Sequence, residues 1–202
     1  INTFKIKNKK VMISTVTDPY NSYEKKYKVT RMIMEQLVKS EAFITIVTKS
    51  KLVLRDVDLF KKMKYLEIAI SISLLDENLK KKIELNSSSI KERLETLKEL
   101  KQNGIKTIVF ISPIIPEITD FKKIIEATRD YTDEYWFDKL NLRSSFKTKM
   151  FRFISEEYPL YKTIYDDIYN KKNPQYFDEI SDDIERYCRE HKINYKNFSA
   201  GS

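Results

Sequence analysis

Side chains suited to holding a small anion stand where the apolar runs of this chain end. Thr17, Asp18, Tyr20 and Glu24 follow Val11–Val16, and Lys49 follows Ile44–Thr48. Ser71 and Ser73 close Leu66–Ser73, and Asn141 and Arg143 close the run that starts at Tyr135. A lysine ammonium and several hydroxyls converging on one edge suit a carboxylate or a phosphate. The same residues also fit a plainer reading. In that reading Asp18-Pro19 opens a turn, Thr48 and Ser50 cap the next element, and Lys49 is a solvated lysine.

Other chemistry is excluded by composition. The 202 residues contain one cysteine, Cys188, and one histidine, His191, a helical turn apart in a charged stretch. They offer neither a disulfide framework nor a three-histidine metal site, and a Cys–His nucleophile is not expected there. Only two glycines occur, Gly104 and Gly201, so no glycine-rich phosphate loop can be built. No stretch approaches the roughly 18 apolar residues of a membrane helix. Lysine and arginine total 38 against 30 acids, a net charge of +8 that suits a polyanionic partner or a solvated surface. A non-enzymatic nucleic-acid-binding domain, with some of the 13 tyrosines stacking on bases, is the reading that charge supports. A start at Ile1 rather than Met suggests an upstream segment removed or not covered, and the lack of a signal-like segment suggests a cytoplasmic protein.

The elements that must position these residues alternate between strand and helix. Val11–Val16, Ile44–Thr48, Leu66–Ser73, Ile105–Ile115 and Tyr135–Leu142 read as buried strands. Between them, Val29, Met32, Ile33 and Leu37 recur at helical spacing, and Asp56 is placed to cap a short helix carrying Leu59, Phe60 and Met63. Ser89 and Glu92 form a capping box ahead of Ile90, Leu94, Leu97 and Leu100, with Gly104 at the C-terminal stop. Thr119 or Asp120 caps the helix with Phe121, Ile124 and Ile125 inward. About five strand–helix units predict an α/β fold with a parallel sheet, either an open partial barrel or a flat doubly wound sheet, with its ligand site at the carboxyl ends of the strands. Residues 144–202 read as a C-terminal helical extension packed on the 1–143 core. Its helices are expected to carry Phe146, Met150 and Phe153, then Leu160, Ile164 and Ile168 after Pro159, then Phe177, Ile180, Ile184 and Cys188 after Pro174.

The ordered motifs VMISTVTDPYNSYEKKYKVTR, ITIVTKS, Arg55-Asp56, ISIS, Glu84…SSS…Arg93 and FISPIIPEITD, within residues 11–143, resemble radical S-adenosylmethionine (SAM) enzymes of the spore photoproduct lyase-like group. The resemblance implies a partial (β/α) barrel, N-terminally truncated here. It also implies radical, lyase-like chemistry on SAM and a 4Fe-4S cluster held by a CxxxCxxC loop, with an external electron donor, no membrane, and a nucleic acid as one candidate substrate. The cluster loop is absent from this sequence, so its ligands are expected upstream and the chain alone is expected to be inactive. A degenerate, cluster-free relative is the alternative. Carried over by position, Lys49 matches a residue that holds the methionine carboxylate and Ser71 one that holds the ribose. Ser14, Thr17 and Asp18 fall in the segment that takes the methionyl amino group, without its usual glycines.

Overall fold

A computed structural model describes residues 5–13 and 17–199. Ser14, with the end of the first predicted strand, lies outside the described residues. The chain runs β1 (Lys10–Ile13), α1 (Glu24–Tyr27), α2 (Val29–Leu37), β2 (Phe43–Thr48), a 3-10 turn (Lys51–Asp56) leading into α3 (Val57–Phe60), and β3 (Leu66–Ser71). It continues through α4 (Glu77–Ile83), α5 (Ile90–Gln102), β4 (Lys106–Ile114), α6 (Phe121–Thr128) and β5 (Glu134–Lys139). The last part holds α7 (Ser144–Glu157), α8 (Lys162–Tyr169), α9 (Gln175–Glu190) and β6 (Tyr195–Asn197). The strands form one six-stranded sheet in the order β1-β2-β3-β4-β5-β6, every neighbouring pair parallel. The sheet curls into a half-barrel with helices outside it, the partial-barrel alternative of the two that the strand count allows.

Alternation splits the strands between two faces, broken in β4 by a register shift between Ile111 and Ile114. The outer face, with Ile46, Ile68, Ile70, Val109 and Phe137, packs under the helices against Met34, Leu97, Ile124 and Ile184. The inner face is layered along the strands. At the amino end, Thr45, Glu67, Lys106, Glu134 and Lys196 form a belt of hydrogen bonds and ion pairs of 2.7–2.9 Å. Burial pushes the Glu134 carboxyl up, but hydrogen bonds from Lys196, Lys106 and Trp136 hold it down to about 2. Above the belt lies an apolar layer of Val47, Ala69, Ile108, Phe110 and Trp136. The carboxyl end is polar.

Several local expectations hold. The Ser89–Glu92 capping box is formed, Gly104 takes a φ of +73°, and Asp120 caps α6. Others shift. The buried face of α2 is Thr30, Met34 and Leu37, while Val29 and Met32 are exposed, because Thr30 Oγ1 is held by the Pro19 carbonyl and sets the helix rotation. Asp56 caps nothing with its side chain, which is spent on two arginines. Leu160 lies in a 3-10 turn at 89% exposure, because α8 starts only at Lys162. The tail is not all helix. After α9 it returns β6 to the sheet, pairing Tyr195 with Tyr135. Among the described residues no helix is long and apolar enough to cross a membrane.

Candidate functional site

One acid ties the loop that follows β1 to the carboxyl end of β2. Asp18 accepts from Thr48 Oγ1 at 2.7 Å and from its own turn at Tyr20 N (2.8 Å) with one oxygen, and from the Lys49 backbone N–H at 2.7 Å with the other. Both oxygens are thereby engaged in fixing the loop that follows β1 onto the end of β2. Asp18 positions the site, as the turn-opening reading had it, and Thr48 in turn accepts from Ser50 N at 3.0 Å.

Lys49 leaves β2 one residue beyond the Thr48–Ile70 pairing, which sets it beside Ser71. Its ammonium meets Glu84 at 2.5 Å, and the other oxygen of Glu84 meets Arg93 Nη2 at 2.5 Å. Arg93, only 1% exposed, donates from Nη1 to the Ser71 carbonyl at 2.9 Å and from Nε to the Ser88 carbonyl at 3.1 Å. Ser71 Oγ donates to the Ser112 carbonyl at 2.9 Å. One chain of polar contacts thus runs from β2 through the ends of α4 and α5 to β3 and β4. Burial pushes the Glu84 carboxyl up, but the Lys49 and Arg93 charges outweigh it and hold the group below its ordinary value. The trio of two cations and one anion leaves a net charge of +1 at the rim, with Lys49 partly open to solvent.

The remaining residues of the TDPY…E…TR stretch form a second network behind the first. Glu24 accepts from the Thr30 and Arg31 backbone N–H groups at 3.0 and 3.2 Å, capping α2, whose own N-cap Lys28 sits at φ +52° with no side-chain bond. Arg55 binds Glu24 at 2.8 Å and Asp56 at 2.8 Å; Arg31 binds Asp56 at 2.8 Å and Asp58 at 2.9 Å. Tyr20 OH donates to Asp56 at 3.1 Å. Burial, and then the Asp56 charge, push the Tyr20 phenol above its ordinary range. For Glu24 and Asp56 burial raises the carboxyl, but backbone and arginine hydrogen bonds prevail and both are held low.

A pH dependence follows from these depressed acids. Carboxyls whose folded pKa lies below the unfolded value, about 4, contribute stability fully present above that value and lost as pH falls through the folded one. The midpoint of urea unfolding is therefore expected to be flat from pH 7 to 5 and to drop steeply below about pH 4, where unfolding releases the network to take up protons. A midpoint unchanged between pH 5 and 3 would contradict the assigned pairs.

Of the other predicted site residues, Ser73 is buried one alternation beyond Ser71, and its Oγ has no hydrogen-bond partner. Thr17 is exposed at the loop start, and Asn141 and Arg143 are exposed between β5 and α7, past a strand two places from β3 in the sheet. The tail reaches the rim. Leu74, Ile115 and Leu140 at the strand ends pack with Met150, Ile154 and Tyr165, and the tyrosine hydroxyls of Tyr165 and Tyr169 donate to the Pro116 and Leu140 carbonyls at 3.1 and 3.0 Å. Cys188 is buried on α9 in the outer core, where burial pushes its thiol up to about 11. Among the described residues no three His, Cys, Asp or Glu side chains are grouped to hold a metal. The motif residues Glu84 and Arg93 entered the sequence reading without a role, since nothing in their spacing says that they grip Lys49. Asp138 was missed, although alternation from Glu134 already places it on the inner face.

Comparison with known proteins gives the geometry a family. The model of the Radical SAM superfamily matches residues 1–130 of the 202. The uncharacterized protein MJ0683 of Methanocaldococcus jannaschii is 42% identical over 186 residues, covering 90% of this chain and 70% of that protein. The uncharacterized protein ORF301 of Acidianus two-tailed virus is 35% identical over 111 residues, 54% of this chain and 36% of that protein. Among solved structures, a spore photoproduct lyase variant with bound AdoMet and dinucleoside spore photoproduct superposes with a TM-score of 0.58 at 16% identity, over 76% of this chain and 46% of that one. Streptococcus suis SuiB bound to S-adenosylmethionine gives a TM-score of 0.52 at 15% identity, over 85% of this chain and 35% of that one. The chain thus spans less than half the length of these two structures, whose likeness is one of fold. Together with the family match, the six-stranded half-barrel and its ordered motifs make this chain a member of the radical SAM superfamily.

Proposed function

We propose that this chain is the cofactor-binding core of a radical SAM enzyme, with SAM at the carboxyl ends of β2 and β3. The observation that carries the reading is the Lys49–Glu84–Arg93 trio. Its net positive charge and partly open ammonium suit the methionine carboxylate, and Ser71 stands one strand away for a ribose hydroxyl. The chain's own residues bind and orient the cofactor, while the apolar inner layer keeps water from beneath it.

A 4Fe-4S cluster does not fit the residues of this chain, whose one cysteine is buried in the outer core. In this proposal its ligands belong to the rest of the parent protein, which acts in the cytoplasm and takes its electrons from an external donor. SAM, when bound with such a cluster, supplies radical chemistry of the lyase type. The positive charge at the site is local and structured, which favours this reading over a general basic nucleic-acid-binding surface.

Titration calorimetry tests it. A lost charge-assisted contact costs about 1.5–3 kcal/mol, so Lys49→Ala in the full-length, cluster-loaded protein is expected to weaken SAM binding roughly ten- to a hundredfold. Far-UV circular dichroism should be unchanged. The isolated chain is expected to bind SAM weakly, since it lacks the cluster. Equal affinities for Lys49→Ala and the parent would remove Lys49 from the site.

A further inference from the structure

The inner face of β5 carries an acid that the proposed cofactor site does not use. Glu134 joins the charged belt and Trp136 the apolar layer, while Phe137 enters the outer core and the Lys139 ammonium lies over the Phe177 ring. Alternation puts Asp138 on the inner face, half-buried, at the carboxyl end. Glu24, Asp56, Glu67, Glu84 and Glu134 each hold a Lys or Arg at 2.5–2.8 Å. Asp138 holds none among the described residues, and the one charge it feels is that of its own neighbour Lys139.

Asp138 is not isolated on its row. Ser71 pairs with Phe110 and Phe110 with Trp136; next along this row come Ser73, just past the end of β3, and Ser112, which a register shift between Ile111 and Ile114 sets with Pro113 against Asp138. Ser73 is 1% exposed and its Oγ has no partner; Ser112 is half-buried. Strand spacing sets the ends of this row about 10 Å apart. An unpaired hydroxyl and a carboxyl that accepts only from its neighbour's backbone N–H and holds no counter-ion therefore stand at the carboxyl end of the sheet's inner face, one row above the apolar layer.

We propose that Asp138, Ser73 and Ser112 form a substrate subsite that takes a cationic N–H donor, a primary ammonium or a guanidinium. A half-buried carboxylate without a counter-ion gains most from such a group, through charge-assisted hydrogen bonds, and the two hydroxyls accept its remaining N–H bonds. Burial holds the Asp138 carboxyl above its ordinary value, and a bound cation would bring it back down. The proposal rests on the reading that SAM occupies the neighbouring strand ends, which leaves this row for the substrate.

The test is a titration of the chain with agmatine, followed by the carboxyl carbon resonance of Asp138, with butyrate and n-butanol as controls. A saturable shift is expected with agmatine and not with either control. Asp138→Asn should weaken agmatine binding roughly tenfold or more, the loss of one charge-assisted bond. Ser73→Ala should weaken it a few fold while leaving the urea midpoint in place. No saturable shift, or equal binding by Asp138→Asn, overturns the subsite. A calorimetric SAM titration of Asp138→Asn in the full-length protein separates the two readings. Unchanged SAM affinity supports the subsite, and a loss as large as that of Lys49→Ala would assign Asp138 to the cofactor and overturn it. If the full-length protein binds no SAM at all, the cofactor reading fails while the agmatine result still decides the subsite.

Discussion

Replacing Asp56 with alanine is expected to destabilise the chain by about 3–5 kcal/mol, the cost of removing one partner from a buried ion pair. Asp56 is fully buried and receives Arg31, both Nε and Nη2 of Arg55, and the Tyr20 hydroxyl. Its loss leaves the guanidinium groups with Glu24 and the exposed Asp58 and Glu35, and a buried phenol with no acceptor. For a chain of this size the change amounts to a melting temperature lower by roughly 10 °C. Asp56→Asn keeps the shape and one acceptor oxygen, so it should lose clearly less than the alanine variant. The loss should also reach the rim, because the same network holds the segment that delivers Asp18 to the end of β2. Calorimetric melting of the two variants checks this. A change below about 1 kcal/mol, the scale of an exposed pair, would mean that water replaces Asp56.

Arg93→Met is expected to cost a similar amount for a different reason. Arg93 is buried, neutralises Glu84, and donates to the carbonyls of Ser71 and Ser88. Removing it leaves Glu84 with Lys49 alone and two carbonyl groups without a donor, an expected loss of about 3–5 kcal/mol. Pairing it with Glu84→Leu should recover much of that stability, since a buried ion pair exchanged for apolar side chains is often near neutral. The double variant should still bind SAM poorly, because Lys49 loses the carboxylate that orients its ammonium. Urea unfolding of the single and double variants, with SAM titrations beside them, separates the two effects. Full SAM affinity in the double variant would show that Lys49 orients itself.

Much of the fold was legible residue by residue. The apolar runs of β2, β3 and β4 are long and β-branched, so their strand character and parallel pairing follow from local pattern. The capping box at Ser89 and the stop at Gly104 bound α5 by local hydrogen bonding and backbone sterics alone. The rotation of α2 was not legible. Val29 and Met32 fit a helical stripe as well as Thr30 and Met34 do, and the choice is made by a carbonyl eleven residues away in sequence, at Pro19. Likewise Tyr195–Asn197 is too short and too polar to read as a strand, and its edge position depends on β5 being there to pair with it.

For the site, the sequence by itself determined which residues stand at the carboxyl ends of the strands. Strand period and length do that without reference to any partner, and Asp18, Lys49, Ser71 and Ser73 were found in this way. Only the tertiary structure decided what each of them does. It spends Asp18 on the Thr48 hydroxyl and two backbone N–H groups, grips Lys49 through Glu84 and Arg93, and leaves the Ser73 hydroxyl without a partner and Asp138 without a counter-ion. The physical reason is that a side chain's charge state and freedom depend on what lies within a few ångströms, and here those neighbours come from positions 22 to 41 residues away in the chain.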